Sequence, residues 1–191
     1  WTSIVSDDVT GFVRNIQEDY ENEDLLFLGT EFGLYITVNG GNTWNKFTNN
    51  FPATAVHFLD LQKDTNDLVA GTHGRGVIII DDISILRQIT PEVLAKDVHF
   101  FDVKPGVMVE QGGFGGGSTE LQFVGSNPGT SAKIAYALNK RHTFGKMTLE
   151  VVDDNNNTIA KLTPGKSKGL NFASWDYSMK TPKTASGKTF S

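Results

Sequence analysis

Apolar and polar positions along this chain follow a pattern of short strands. Runs rich in Val, Ile, Leu and Phe recur, and clusters of Gly, Asn, Asp and Pro lie between them. Val77-Ile78-Ile79-Ile80 is a continuous β-branched run, which predicts a strand buried on both faces. The mixed residues around Val56 and Phe58 predict a strand nearer the edge of a sheet. The pattern as a whole predicts an all-β protein.

The first half of the chain repeats itself. Residues 12–30 are echoed by residues 55–72, and the Gly-Thr pairs that begin at 29 and 71 lie 42 residues apart. A period of about 40 to 45 residues with several strands per repeat is the spacing of a β-propeller. We therefore expect each repeat to form one four-stranded blade. Two blades do not close a propeller, and the chain opens at Trp1 inside a repeat, so we expect the last blades of a larger, here incomplete, propeller.

A turn signature lies between the apolar run 34–36 and a second strand-like piece that ends at Phe47. Asn and Gly tolerate the positive φ of a tight turn, and short polar side chains can bond back to the turn backbone. A Trp at the end of the signature can anchor the turn on its sheet. The signature predicts a β-hairpin, with a ligand contact as the alternative role for its five residues: Thr37, Asn39, Gly41, Thr43 and Trp44.

A second turn, residues 72–76, carries His73 and Arg75 between glycines. These side chains could face a ligand at the mouth of a propeller. The alternative is a structural role, in which Arg75 bonds carbonyl groups of the loop. Glu31 and Asp60 are further candidates for the ligand-facing surface, and they are also candidate acids together with Asp81 and Asp82. Because no carboxylate lies in a recognisable motif, the catalytic residues stay unassigned.

A short helical linker is predicted at residues 83–97, between propeller blades at 1–82 and a second domain at 98–191. Asp82 can cap a helix over residues 83–88, and Thr90-Pro91 can begin a second helical turn that runs to about Ala95. The second domain shows evenly spaced short strands, which fit an immunoglobulin-like or fibronectin-like sandwich with Trp175 in its core. The strands are expected at about 98–103, 119–124, 132–138, 147–153, 158–163 and 169–175.

Charge divides the chain in the same way. Residues 1–96 contain 14 Asp or Glu against 6 Lys or Arg, a net of −8, and residues 97–191 contain 8 against 11, a net of +3. This change of sign indicates two units with different surfaces. The basic residues of the second half are scattered, so the sequence does not predict nucleic-acid binding. No run approaches the roughly 20 apolar residues of a membrane span.

Metal and cofactor chemistry has little support in the sequence. The chain has no cysteine, which excludes disulfides, thiol nucleophiles and Cys-ligated zinc, and its four histidines lie far apart. Asp153, Asn155 and Asn157 have the spacing that begins a calcium loop, but Thr158 stands where such a loop needs Gly. We therefore expect a plain hairpin turn there, and no metal and no cofactor.

Family resemblance is carried by residues 24–35, by the turn signature and by residues 68–76. These segments look like the closing blades of bacterial sortilin-like BNR-repeat propellers, in which the turn signature is called the Asp-box, here with Asn39 in the Asp position. Many members of that family are described as glycosyl hydrolases. The second half resembles the immunoglobulin-like module that follows such propellers, akin to the flagellar-hook-capping type, in its segments 133–136, 149–153, 169–171 and 175–176.

The resemblance implies an extracellular or periplasmic protein. It also implies one more strand after Ser191, so the sandwich is expected to be truncated. The expected function is that of a binding or scaffold module for glycan or protein ligands that is not catalytic alone. The alternative is part of a glycoside hydrolase whose carboxylates lie mostly in missing blades. We expect the remaining blades, or a second copy of the chain, to cover the open blade edge.

Overall fold

The computed structural model describes residues 3, 4, 6–103 and 131–178. In these residues strands dominate and the helices are two short pieces, so the predicted all-β class is confirmed. The chain divides into two compact units, Trp1–Ala95 and Lys96–Ser191, which are described separately below. The strand predicted at 119–124 lies outside the described residues.

The first unit contains two antiparallel sheets built from consecutive strands. The first sheet has the order β1-β2-β3-β4 and the second has the order β5-β6-β7. The second sheet thus repeats the first three strands of the first sheet, as the internal repeat predicts. The strands are β1 (Val13–Glu18), β2 (Leu26–Thr30), β3 (Gly33–Thr37), β4 (Asn45–Lys46), β5 (Val56–Gln62), β6 (Asp67–Thr72) and β7 (Val77–Ile80).

An apolar core lies between these two sheets. It joins residues of β2 and β3 to residues of β5 and β6, and Ile83 closes one side. Gly29 of β2 makes the close approach of the sheets possible, because a Cβ atom at this position would lie 2.7 Å from the carbonyl oxygen of Val56. The buried core side chains include Leu25, Phe27, Leu34, Ile36, Val56, Leu59, Leu61, Leu68 and Ala70.

The outer face of the second sheet is apolar and exposed. Ile78 and Ile80 of β7 pack against the core, but Val77 and Ile79 point the other way and are 66% and 58% exposed. Phe58 of β5 lies on this outer face too and is 72% exposed. The prediction that residues 77–80 are buried on both faces is therefore wrong for the described residues. The run is apolar throughout, but the described part of the unit covers only one of its faces.

Two short helices follow β7. Residues Ile83–Gln88 form a 3₁₀ helix, and the side chain of its N-cap Asp82 accepts a hydrogen bond from the backbone N–H of Ser84. The helix α1 (Pro91–Ala95) begins after Thr90, whose hydroxyl accepts a bond from the N–H of Val93 at 3.2 Å. The predicted caps and bounds are confirmed, with 3₁₀ geometry in the first helix.

A buried ion pair ties the 3₁₀ helix to the first sheet. The guanidinium of Arg87 donates through Nε and Nη2 to the two carboxylate oxygens of Asp19, at 2.8 and 2.9 Å. The side chain of Asp19 is 0% exposed and that of Arg87 is 10% exposed. The backbone N–H groups of Glu21 and Asn22 also donate to Asp19, so its oxygens have several donors. A two-bond contact of this kind holds both side chains in one orientation.

The same arginine reaches the second sheet. Its Nη1 donates to Oδ1 of Asn66, in the turn between β5 and β6, at 3.0 Å. Its guanidinium carbon lies 4.6 Å from the ring centre of Tyr20, whose single hydroxyl hydrogen is shared between Oδ1 of Asn66 and the carbonyl of Lys63. Arg87 therefore joins the β1–β2 loop, the β5–β6 turn and the 3₁₀ helix.

The second unit contains two small antiparallel sheets, of order β12-β9-β8 and β10-β11. Tyr136 and Leu138 of β9 face a core shared with Leu149 and Ala173. Trp175 is only half-buried, and its ring packs at a tilt of 47° against that of Tyr177, with centroids 5.0 Å apart, so the prediction that it fills the core is wrong. The strands are β8 (Val98–Phe100), β9 (Ala132–Leu138), β10 (Leu149–Val152), β11 (Thr158–Leu162) and β12 (Gly169–Trp175).

Loss of the Arg87 guanidinium should destabilise the first unit strongly. We expect Arg87→Gln to lower the free energy of unfolding by about 3–5 kcal/mol, because the buried carboxylate of Asp19 would lose its cation. The control Lys161→Gln breaks the exposed Lys161–Glu150 pair and should cost about 0–1 kcal/mol. Urea unfolding followed by amide signals of each unit checks both values, and equal losses in the two variants would contradict the prediction.

Acid should weaken the first unit through Asp19. Burial of Asp19 opposes its ionisation, but the bonds from Arg87 and from two backbone N–H groups outweigh burial and lower its pKa. The ionised pair thus contributes stability above the unfolded pKa of about 3.9, and this contribution is lost as pH falls through the lower folded pKa. Below about pH 4, unfolding free energy should therefore fall less steeply with pH in Asp19→Asn than in wild type. If the unfolding free energy of Asp19→Asn and of wild type fell equally steeply with pH, this role of Asp19 would be refuted.

Candidate functional site

The turn signature forms the predicted hairpin between β3 and β4, and its polar side chains bond mainly one another. The Thr37 hydroxyl donates to Oδ1 of Asn39 at 2.8 Å and accepts from the N–H of Gly41 at 3.1 Å. Oδ1 of Asn39 also accepts from the N–H of Thr43, while its Nδ2 donates to the Thr43 hydroxyl. These bonds account for the side chains of Thr37 and Asn39 within the turn itself, which favours the folding role over the ligand contact.

Trp44 fastens this turn to the outer face of the first sheet. Its ring is buried against Leu26, Leu28 and Tyr35, and its Nε1 donates to the carbonyl of Ile4 at 2.7 Å. Ile4 also lies over Gly41, where φ is 87° and a Cβ atom would come within 2.9 Å of Ile4 Cβ. A glycine is therefore required at that position for both conformation and space.

The other predicted site residues divide between two places. His73 and Arg75 lie in the exposed turn after β6, and the ring of His73 stacks on His57 with centroids 5.6 Å apart. The turn is fixed by bonds from the Thr72 N–H and hydroxyl to the carbonyl of Gly76. The N–H of His73 also donates to the carbonyl of Ala55 at 2.8 Å. The backbone of this turn is thus held while the side chains of His73 and Arg75 are exposed.

Glu31 lies at the same end of the first unit. Gly29 at the end of β2 lies against Val56, and Val56 pairs with Thr72 at the end of β6. The turns that follow β2 and β6 are therefore neighbours, and we call the end formed by residues 30–33 and 72–77 the turn end. Because β3 runs from the turn end to Thr37, the Asn39 turn lies at the opposite end of the sheet.

Asp60 lies away from the turn end. It pairs with Val69 in the middle of the second sheet, on the exposed outer face beside Phe58. Asp82, a further candidate acid, is the N-cap of the 3₁₀ helix. The structure thus gathers His73 and Arg75 and places Glu31 at the same end, but it separates Asp60 from them. The sequence analysis does not select His57 as a site residue. Its position near the start of β5, next to the residue that pairs with the end of β6, is the signal that could have suggested its contact with His73.

Metal binding has no further support in the described residues. Asp153 accepts from the N–H groups of Asn155 and Asn157, as expected of the plain hairpin turn between β10 and β11. Across residues 6–103 and 131–178, no group of three or more His, Asp or Glu side chains could hold a metal ion. In the same ranges, no helix has the length and hydropathy needed to cross a membrane.

Comparisons of this chain with protein-family models, with curated proteins and with solved structures found no match.

The Thr37 hydroxyl should be the most costly polar group of the turn to remove. We expect Thr37→Val to lower the free energy of unfolding by about 1–3 kcal/mol, because the buried N–H of Gly41 would lose its acceptor. Thr158→Val serves as the control, since its hydroxyl bonds Glu150 on an exposed strand and its loss should cost at most about 0.5 kcal/mol. Thermal unfolding checks both variants, and an unchanged midpoint for Thr37→Val would contradict this role.

Proposed function

We propose that the first unit is a pair of consecutive β-propeller blades of the sortilin-like BNR-repeat kind and that it binds a glycan or a protein ligand at its turn end. The observation that carries the proposal is the arrangement of this end. It presents His57, His73 and Arg75 on one sheet and Glu31 on the other, on a backbone fixed by hydrogen bonds. Such side chains offer donors and acceptors to hydroxyl or carboxylate groups.

The blade assignment is supported by how the two sheets repeat and pack. Their first three strands follow in the same order, and a common apolar core joins the sheets face to face. Radial packing of successive small sheets is the principle of a propeller. The exposed apolar outer face of the second sheet, with Phe58, Val77 and Ile79, has the character of a blade face that a further blade would cover.

The sheets of the second unit support its assignment as an immunoglobulin-like module. It has antiparallel sheets of three and two strands, with Tyr136 and Leu138 of one and Leu149 of the other in a common core. A module of this kind would act as a spacer or docking element beside the blades. With the family resemblance, this arrangement favours a secreted or periplasmic scaffold protein as the setting for the binding surface.

Binding is favoured over glycoside hydrolysis because of where the candidate acids lie. A hydrolase of this kind needs two carboxylates facing one sugar. Asp82 is used as a helix cap, and Asp60 lies within the outer face of the second sheet, away from the turn end that holds Glu31. The described part of the first unit therefore offers no facing pair among these three acids. A hydrolase that takes further acids from other blades is the second candidate.

The two candidates differ in binding and turnover. We expect the chain to retain at least one oligosaccharide from an array of neutral and acidic glycans, and to release no fluorophore from 4-methylumbelliferyl glycosides. The double variant His73→Gln/Arg75→Gln should weaken that binding roughly tenfold, the effect of about two surface contacts.

Lys63→Gln is the matched control, since it removes a positive charge at the opposite end of the same sheet. Retention that is equal in the double variant and the control would place the ligand elsewhere. Turnover that is lost in Glu31→Gln would favour the hydrolase. If no array member is retained, binding of a glycan at the turn end is overturned.

A further inference from the structure

A cleft in the second unit lies where β10 and β11 separate. The last residue pair of this hairpin is Leu149 with Leu162, and the chain segments before Leu149 and after Leu162 diverge from there. The space between them has a volume of about 410 Å³ and is open to solvent. This volume falls in the range of small-molecule sites, roughly 300–1,000 Å³.

The floor and the rim of this cleft differ in chemistry. Leu149 belongs to the buried core, and Met147 and Leu162 pack against it, so the floor is apolar and continuous with the core. Thr148 and Thr163 also line the cleft, and both are exposed. The rim carries three exposed ammonium groups, those of Lys146, Lys161 and Lys166.

The charge at the rim is only partly balanced. Glu150 pairs with Lys161 at 2.7 Å, and its other carboxylate oxygen accepts from the Thr158 hydroxyl. The pKa of the Glu150 carboxyl is held below its ordinary value, chiefly by the bond from Lys161, then by the Thr158 hydroxyl and by the positive charges of Lys161 and Lys146. Three lysines thus surround the cleft with one paired carboxylate beside them, which leaves a positive excess.

One wall of the cleft is held in place by the core. The Tyr136 hydroxyl donates to the carbonyl of Gly165 at 2.7 Å. The side chain of Asn171 accepts from the N–H of Ser167 and donates to its carbonyl, and the N–H of His142 donates to the carbonyl of Lys166. Successive residues of this wall are therefore fixed before any ligand arrives, which lowers the entropic cost of binding.

We propose that this cleft binds a small organic carboxylate with an apolar body. The carboxylate would lie among Lys146, Lys166 and the threonine hydroxyls, and the apolar body would lie on Met147 and Leu162. Charge complementarity selects the anion, and the floor selects the apolar part. This site belongs to the second unit alone, so it goes beyond the proposed role of the turn end and holds whether or not the first unit is part of a propeller.

Decanoate tests this proposal, with decanol as its neutral counterpart. The full ¹⁵N-labelled chain is titrated with each below its micelle concentration, and backbone amide shifts are followed. Saturable shifts at Thr148, Thr163 and Lys166 are expected with decanoate. The double variant Lys146→Gln/Lys166→Gln should weaken decanoate binding roughly tenfold, as expected for two solvated ionic contacts. Added salt should weaken it as well.

The matched control is Lys133→Gln/Lys140→Gln, which removes two exposed ammonium groups outside the cleft and should leave binding unchanged. Equal binding by decanol and decanoate would overturn the proposal, and so would equal losses in the two double variants. Shifts confined to the outer face of the second sheet, around Phe58, would overturn it too.

Discussion

Contact between the two sheets of the first unit is the constraint on which its structure depends. The sheets approach closely because Gly29 has no side chain, and this approach buries Val56 and the facing strand residues in one core. The apolar core residues do not extend to the place where the loops after β1 and β5 meet. Arg87 joins the two loops there, through two hydrogen bonds to Asp19 and a third to Asn66. Apolar burial therefore brings the sheets together, and one buried cation fixes their edges.

Local chemistry explains which parts of the fold could be predicted. The hairpin at Asn39, the cap at Asp82 and the bounds of β9 and β12 depend on residues within a few positions of one another. The Asp19–Arg87 pair joins residues 68 apart, and no motif marks it. The exposure of Val77 also escaped prediction, because periodicity shows that a residue is apolar but not whether another sheet covers it. Where the structure departs from the predictions, the cause is long-range packing.

In the candidate site too, the residues that share one turn could be predicted from sequence, and those brought together by long-range packing could not. His73 and Arg75 could be selected from sequence because they share one short turn between glycines. Their stacking partner His57 lies on another strand, and the placement of Glu31 at the same end depends on how β2 packs against β5. Asp60 is a candidate from sequence because it is a carboxylate expected in a propeller loop, but it lies within β5, on the outer face of the second sheet. The lysine cleft joins two segments on either side of a hairpin, a relation that composition alone does not reveal.

The two ends of the first unit place different demands on sequence. At the Asn39 end, side chains bond one another and Gly41 is enclosed by Ile4, so few substitutions fit. At the turn end, the backbone is held by main-chain and Thr72 bonds. A Cβ atom at Gly74 or Gly76 would meet nothing within 4 Å, but φ values of 79° and 69° favour glycine at both positions. The exposed side chains of His73 and Arg75, which lie before and between these glycines, can therefore change without disturbing the core. A fold organised in this way allows the exposed side chains of one turn to vary while the residues that build its scaffold stay the same.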